Sequence, residues 1–365
     1  MDRRLKKLYS FDLNNTAPVS SAKVAKKTGK TIFNPNWHYV LFGIGLILLL
    51  LVCVETSYLP YSWYGGIIST AAFSISSIGF CLLLGYSGMA SLGTGGFIGI
   101  GCYSVYYVMT LSGLPFFVAV LVAILIAIVI GVIVGFISLR IESIYLVILT
   151  LGLSEILRNV YRVLKDSINI GQVEIFGLKL SGSDTMYVII PVLVIIMIIT
   201  HNIIASPTGR AMLAMKNSTA AAQAMGISIL KYRLMAFIIC TVYASISGTM
   251  LILRNGSATA SSGTSFYALI TSLNILAAVI IGGYKSIWGA LFGTFVMYGL
   301  NTTILQGIPL FNNHPELITI ISGVLVIVIV MFYPGGLAQL LQGLKAKIKA
   351  LFKKLKEAKY GKDIG

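Results

Sequence analysis

The stretch PFFVAVLVAILIAIVIGVIVGFIS, residues 115–138, contains no charged side chain. A helix needs roughly 20 consecutive apolar residues to cross the hydrocarbon core of a bilayer, and this stretch meets that requirement on its own. Comparable apolar runs occur before and after it along the chain. The sequence therefore predicts an all-α integral membrane protein.

The composition of the whole chain supports this prediction. Of the 365 residues, 57% are hydrophobic and 10% are charged, whereas a soluble domain carries roughly 25% charged residues. The mean hydropathy is +0.92. A soluble fold with so few charges would have too little polar surface, which argues against a water-soluble enzyme, a disordered chain and a nucleic-acid binder.

The net charge of +16 is concentrated at the two ends of the chain. Residues 1–38 contain eight Lys and Arg residues, and residues 341–365 contain eight more. Basic segments that flank an apolar body are typical of a membrane protein whose ends face the cytoplasm and its anionic lipids. This distribution argues against nucleic acid as the partner of the positive charge.

The charge distribution also predicts the division of the chain. We expect a basic cytoplasmic N-terminal tail (1–38), a transmembrane domain (39–338) and a basic C-terminal tail (339–365). Apolar residues at helical spacing in the last tail predict an amphipathic helix on the membrane surface, and a solvated charged tail is the alternative.

Apolar runs bounded by charges, aromatic residues or clusters of Gly, Pro and Asn predict about ten transmembrane helices, some of them short or broken. If the spans alternate and both termini are cytoplasmic, the inside segments hold 22 Lys and Arg residues and the outside segments hold five. This asymmetry follows the positive-inside rule. The predicted spans are 39–58, 65–84, 95–111, 115–138, 143–161, 185–204, 233–253, 267–282, 287–305 and 316–333.

Motifs for nucleotide hydrolysis and metal binding are missing from the sequence. No G-x-x-x-x-G-K-[ST] phosphate loop occurs, so the chain has no such site of its own for ATP. His38, His201 and His314 stand alone near the predicted ends of spans. The four cysteines lie in apolar runs, which is typical of buried hydrophobic side chains. We therefore expect no enzymatic activity, no metal and no cofactor bound by this chain.

The cytoplasmic segment 205–232, ASPTGRAMLAMKNSTAAAQAMGISILKY, indicates a specific role. Asn217 or Ser218 is suited to cap a short Ala-rich helix, and Gly226 is suited to the left-handed residue after its end. A short helix with small side chains fits a groove on a soluble motor protein. A connector helix that packs on its own bundle is the alternative.

Four stretches of the sequence resemble the branched-chain amino acid permease family of ABC importers, in matching order and spacing. Together they indicate a resemblance over about residues 60–340. The stretches are GYSGMASLGTGGFIGIGCY (85–103), SIYLVILTLGLSEILR (143–158), GRAMLAMKNSTAAAQAMGI (209–227) and AAVIIGGYKSIWGALFG (277–293).

This resemblance implies a membrane permease subunit that forms half of a translocation pathway for branched-chain or other amino acids. It implies a related second permease subunit, two cytoplasmic ATPase subunits that use the ATP, and an extracytoplasmic substrate-binding protein. The resemblance also implies that the following residues form the coupling contact with the ATPase: Ser218, Thr219, Ala221, Ala222, Ala224, Met225 and Gly226. Thr219 stands where the family usually has an acidic residue. An ion-coupled secondary transporter of small polar solutes and a channel or scaffold are the alternatives.

Several residues inside apolar runs are candidates for the translocation pathway. Glu155 is an acidic residue in a membrane run, and Arg158 lies on the same helix face three residues later. The pair either holds helices together or lines the pathway, and the sequence leaves both roles open. The glycines Gly85, Gly88 and Gly93 predict a break between the second and third spans, where backbone groups become available to a solute. The pathway candidates are Glu155, Arg158, Gly85, Ser87, Gly88 and Ser91.

Overall fold

The computed structural model of the protein describes most of the transmembrane domain. The described residues are 37–56, 61–138, 143–171, 173–175, 178–180, 182–261 and 266–300, with 320, 323–324, 327–328, 331 and 336–337. The N-terminal tail up to residue 36, the C-terminal tail from residue 339, His314 and most of the span predicted at 316–333 lie outside the described residues.

Helices account for most of the described residues. A helix covers most of the described part of each of the first nine predicted spans. In chain order the helices are α1 (Trp37–Thr56), α2 (Tyr61–Leu82), α3 (Thr94–Ser112), α4 (Phe116–Ser138), α5 (Ser143–Lys165), α6 (Met186–Ala205), α7 (Pro207–Asn217), α8 (Thr219–Ala224), α9 (Ile229–Asn255), α10 (Leu269–Gly282) and α11 (Ile287–Thr294).

Two of these helices continue into short π-helical turns. Leu83–Ser87 extends α2, and Phe295–Gly299 extends α11, while a 3₁₀ turn at Gly182–Thr185 precedes α6. Within the described residues, four helices are long and apolar enough to cross a membrane. They are Trp63–Ser87, Phe116–Ile137, Met186–Ala205 and Ile229–Asn255.

Four strands of three residues each correct the all-α prediction in the loops. They are β1 (Ser167–Asn169), β2 (Val173–Ile175), β3 (Leu178–Leu180) and β4 (Ser257–Thr259). β1 pairs antiparallel with β4, so that Ile168 lies opposite Ala258, and β2 pairs antiparallel with β3. Apolar and polar residues alternate over 173–175 and 178–180, which is the period of a strand and not of a helix.

The loops meet in two separate groups. At one end, β1 and β4 join the segment after α5 to the segment after α9, and the Ser261 hydroxyl donates to Asp166 Oδ2 at 2.6 Å. At the other end, Lys216 bonds to the carbonyl oxygen of Leu84. Segments that the Lys and Arg distribution assigns to the same side of the membrane thus contact one another, which agrees with the predicted alternation of these spans.

α9 is the centre of the bundle and packs on α2, α3 and α4. Glycine and serine allow the backbones to approach closely: a Cβ added at Gly101 would overlap the Ser245 carbonyl, and one added at Gly248 would overlap the Ile98 carbonyl. The Ser247 hydroxyl donates to the Ala72 carbonyl at 2.8 Å. Such contacts hold helices together where lipid removes most of the hydrophobic driving force.

We predict that Gly101→Ala destabilises the protein by about 1–3 kcal/mol, because the added methyl group overpacks the contact between α3 and α9. The matched control is Gly152→Ala in α5, where an added Cβ meets no atom within 4 Å. Thermal unfolding of the isolated chain in detergent measures both variants. Equal midpoints for the two variants would contradict the close approach of α3 and α9.

Candidate functional site

The cytoplasmic segment predicted at 205–232 forms two helices where the sequence predicted one. α7 begins after Ser206, whose hydroxyl accepts the Gly209 N–H, and Pro207 occupies the first helical position. Ser followed by Pro is a recognised helix start, so the sequence contained a signal that the prediction missed. Met212 and Met215 lie on the buried side of α7 and fix the orientation of this helix.

Ser218 joins the two helices. Its N–H donates to the Ala214 carbonyl at 3.1 Å and closes α7, while its hydroxyl accepts the Ala221 N–H at 3.2 Å and caps α8. The predicted cap at Ser218 is therefore confirmed, whereas Asn217, the alternative cap, is the last residue of α7. One residue with extended backbone turns the chain sharply between the helices.

The end of α8 follows the predicted glycine geometry. Gly226 has φ +77°, a conformation that side chains with a Cβ rarely adopt. The Gly226 N–H donates to the Gln223 carbonyl at 2.9 Å, and the Ile227 N–H donates to the Ala222 carbonyl at 3.0 Å. These two bonds form a Schellman motif, so that α8 is closed by hydrogen bonds at both ends despite its length of six residues.

The exposed face of α8 differs from the predicted contact set at one residue. Ala222 is fully buried, with 0% exposure, and faces its own bundle. Ala222 is therefore not part of the exposed contact surface. It packs between α8 and the rest of the chain, because α8 rests on the bundle through this side of the helix. The remaining members of the predicted set are exposed: Ser218, Thr219, Ala221, Ala224, Met225 and Gly226.

Lys216, at the end of α7, connects this helix pair to the transmembrane domain. Its ammonium group donates to the carbonyl oxygens of Leu84 at 3.1 Å and of Gly85 at 2.8 Å. These carbonyls lie in the π-helical turn that ends α2, and Gly88 follows with φ +74°. The predicted break after the second span is confirmed, and the cation binds backbone oxygens at that break.

A turn between α10 and α11 packs against the same site. The Lys216 ammonium lies 4.5 Å from the centroid of the Tyr284 ring, and Tyr86 donates to the Lys285 carbonyl at 3.3 Å. Glycine at position 85 allows the Tyr284 carbonyl to come close, because a Cβ there would overlap the carbonyl oxygen. Three separate parts of the chain thus meet at one point: α7, the break after α2 and the turn at 283–286.

Burial and a neighbouring positive charge both act on the Lys216 ammonium group. Burial lowers the pKa of Lys216, and the positive charge of Lys285 lowers it further. The carbonyl oxygens and the face of the Tyr284 ring attract the ammonium group, while the second lysine repels it. The carbonyl oxygens and the ring hold the ammonium group in place despite this repulsion.

The remaining pathway candidates near the break make local contacts. The Ser87 hydroxyl donates to the Leu83 carbonyl at 2.7 Å, and the Ser91 hydroxyl accepts the Gly93 N–H at 3.2 Å. Both serines are buried, whereas Gly88 is exposed. These hydroxyls support the bend of the backbone, and a direct role in the pathway stays a prediction.

Glu155 and Arg158 form the predicted ion pair, with Arg158 Nη1 and Glu155 Oε2 3.5 Å apart. Arg158 Nε also donates to the Ala260 carbonyl at 3.2 Å. The arginine therefore links α5 to the segment after β4, and the glutamate neutralises its charge. This geometry accounts for a structural role, while a role in the pathway stays a prediction.

Sequence reasoning missed a set of buried hydroxyls around the start of α3. The N–H groups of Gly95 and Gly96 donate to the hydroxyls of Ser272 and Ser154 at 2.8 Å and 3.0 Å. Hydroxyls from α10 and α5 thus satisfy the first turn of a helix inside the bundle. The signal was weak, since a serine in an apolar run is compatible with many surroundings.

Other groups capable of chemistry are occupied or isolated. Across the described parts of the chain, no group of three or more His, Cys, Asp or Glu residues is arranged to hold a metal ion. Cys81, Cys102 and Cys240 are buried free thiols. His201 Nδ1 lies 3.2 Å from the Tyr39 hydroxyl.

Comparison with known proteins gives consistent matches. The family model described as "Branched-chain amino acid transport system / permease component" matches residues 63–330. The chain is 26% identical over 299 residues to the high-affinity branched-chain amino acid transport system permease protein LivM of Escherichia coli K12, covering 73% of this chain and 68% of that protein. The LivM protein of Salmonella typhimurium is 25% identical with the same coverage.

A shorter match covers part of the chain. The probable ABC transporter permease protein YphD of Escherichia coli K12 is 29% identical over 127 residues, which are 34% of this chain and 36% of that protein. No solved structure matches the chain significantly.

We predict that Lys216→Met loosens the junction, because two hydrogen bonds from a charged group are lost and each contributes about 1.5–3 kcal/mol. Hydrogen exchange of the amides at 84–88 should become about tenfold faster or more. Lys231→Met removes an exposed lysine and should leave this exchange unchanged. Equal exchange in both variants would show that Lys216 does not hold the break.

We predict that Arg158→Met destabilises the protein more than Glu155→Gln does. Arg158→Met loses both the ion pair and the bond to the Ala260 carbonyl, which should lower the free energy of unfolding by about 1–3 kcal/mol. Glu155→Gln loses only a partly exposed ion pair, which should lower it by about 0–1 kcal/mol. Thermal unfolding in detergent measures the difference. A Glu155→Gln variant that is fully stable but inactive in transport would instead assign Glu155 to the pathway.

Proposed function

Because the chain belongs to the branched-chain amino acid permease family, we propose that it is the membrane subunit of an ABC importer for branched-chain or other amino acids. The chain is a multi-pass protein of the inner membrane. In the proposed complex it forms half of the translocation pathway, and a related permease subunit forms the other half. Ten spans with both termini in the cytoplasm complete the proposed topology.

The observation that carries this proposal is the junction at Lys216. The sequence lacks a phosphate loop, so energy from ATP has to enter through a surface of the chain. The pair α7 and α8 offers that surface: α8 is short, exposed and closed at both ends. Lys216 joins the same pair to the break after α2, so a push on α8 has a direct route into the bundle.

The proposed mechanism is alternating access. Closure of two cytoplasmic ATPase subunits around ATP moves α8, and Lys216 carries that movement to the π-helical turn at Leu83–Ser87 and to the turn at 283–286. The helices that pack on these turns then open the pathway to the outside. Hydrolysis of ATP releases α8 and returns the pathway to its inward-facing state.

The opposite end of the bundle supports the proposed contact with an extracytoplasmic substrate-binding protein. The β2–β3 hairpin and the paired strands β1 and β4 lie among loops that the charge distribution assigns to the outside. The Asp166 carboxylate accepts hydrogen bonds from the N–H and hydroxyl groups of Ser261, and these bonds join the two loops. A braced loop surface is suited to receive a ligand-carrying protein. The basic tails are proposed to contact membrane lipids.

An ion-coupled secondary transporter is the alternative. Such a transporter requires a relay of ionisable groups inside the membrane. The one acidic side chain that the sequence analysis assigned to this role, Glu155, is paired with Arg158. This pairing favours the ABC importer.

We predict that Thr219→Trp and Gly226→Val each abolish ATP-driven uptake. The tryptophan overfills the docking contact of α8, and the valine resists the positive φ that closes the helix. The matched control is Thr110→Trp, an exposed threonine near the end of α3. Radiolabelled leucine uptake into vesicles that contain the assembled transporter and internal ATP is the measurement, together with retention of the ATPase on the purified chain.

Both α8 variants should lose about 90% or more of the bound ATPase, while Thr110→Trp keeps it. Uptake that continues without ATP and stops with a proton ionophore would instead identify an ion-coupled transporter. Normal ATPase retention by both α8 variants would show that α8 is a connector helix.

A further inference from the structure

A cavity of about 480 Å³ lies where α8 ends and α9 begins. Its wall contains Gln223 from α8, the turn at 226–228, the first residues of α9 and Arg233 one turn later. Gln223, in the last turn of α8, and Gly226, just after the helix, are both exposed. The cavity is therefore continuous with the surface to which the ATPase is proposed to bind, and the inference below rests on that proposed function.

Arg233 supplies a guanidinium group to the wall of this cavity. Its Nε is buried and has no hydrogen-bond partner among the described residues. A guanidinium group is always charged, and a buried donor without an acceptor destabilises the protein. An acceptor placed in this cavity would satisfy the Arg233 Nε donor.

The surrounding segment contains no acidic side chain to serve as that acceptor. Residues 205–233 include Arg210, Lys216, Lys231 and Arg233 but no Asp or Glu. Lys216 is engaged with backbone carbonyls, and Lys231 is exposed. The charged side chains of this segment are all positive, and their complement is an acidic group.

The start of α9 independently favours a negative charge in the same cavity. Ser228 stands at the N-cap but makes no side-chain hydrogen bond there, and the first recorded backbone bond of the helix runs from the Tyr232 N–H to the Ser228 carbonyl. The N–H groups of Ile229 and Leu230, which line the cavity, precede that bond. The N-terminal turn of a long helix attracts anions through such N–H groups.

We propose that this cavity binds an aspartate or glutamate side chain of the ATPase subunit, with Arg233 as its partner. A planar carboxylate matches the fork of the guanidinium group with two parallel hydrogen bonds. The contact would place an ion pair at the exit of α8, next to its small exposed residues. The small residues allow close approach, and the ion pair fixes the position of the ATPase along the helix.

The test is a binding titration of the purified ATPase subunit against the full chain held in lipid nanodiscs. Arg233→Ala should weaken binding about tenfold or more, because a buried charge pair is lost. Lys231→Ala, which removes an exposed cation two residues away, should change the affinity by less than about twofold. Arg233→Lys keeps the charge and controls for folding, and it should bind with intermediate affinity.

Cross-linking then identifies the acidic partner. A carbodiimide joins a lysine amine to a contacting carboxylate as an amide, so Arg233→Lys should gain one cross-link to an acidic residue of the ATPase that the wild-type chain lacks. Peptide mapping locates that residue. Replacing that acidic residue of the ATPase by arginine should weaken its binding to the wild-type chain. The same ATPase variant should bind the Arg233→Glu chain again, because the two charges are then exchanged.

Three results would overturn the inference, and they are distinguishable. If Arg233→Ala binds the ATPase normally while Thr219→Trp does not, the carboxylate site is wrong and the proposed function stands. If both variants bind normally, the docking surface itself is wrong. If Arg233→Ala loses bound phosphatidylglycerol in native mass spectrometry and no cross-link to the ATPase forms, the cavity holds a lipid phosphate.

Discussion

The ammonium group of Lys216, bound by the carbonyl oxygens of Leu84 and Gly85, connects α7 and α8 to the interior of the bundle. A helix that continued without interruption would use both carbonyls in its own hydrogen bonds. The break at Gly88 leaves them available to a cation. α7, the break after α2 and the 283–286 turn all meet at this contact.

The rest of the bundle packs tightly around α9. Small residues bring α9 into backbone contact with α3, and serine hydroxyls bind carbonyls across helices. Such tightly packed interfaces yield little and transmit displacement. The proposed coupling requires such a bundle, because a movement that enters at the Lys216 junction has to reach the pathway.

Local sequence signals predicted much of this structure. Apolar runs predicted the helices, Gly85 and Gly88 predicted the break, and Ser218 and Gly226 predicted the two ends of α8. These features depend on residues that are near one another in the sequence. The ion pair of Glu155 and Arg158 was predictable for the same reason, since residues three apart share a helix face.

The remaining features depend on residues far apart in the sequence. Lys216 bonds to carbonyls 131 and 132 residues away, and no periodic pattern indicates such a contact. The burial of Ala222 depends on how α8 is rotated against its own bundle, and an all-alanine face gives no preference for one side. The strands β1 and β4 pair across α6 to α9, so neither strand has a partner within its own stretch of sequence.

A disulfide in place of the Lys216 contact tests most directly whether the junction transmits force. A Cβ added at Gly88 would lie 3.7 Å from Lys216 Cβ, within the range for a disulfide, so Gly88→Cys and Lys216→Cys can be joined after the native cysteines are replaced by alanine. In vesicles that hold the assembled transporter, with the substrate-binding protein outside and ATP inside, we expect the oxidised form to take up leucine and the reduced form to hydrolyse ATP with little uptake. Equal uptake in both forms, or uptake blocked by oxidation, would show that the junction does not carry the movement from α8 to the pathway.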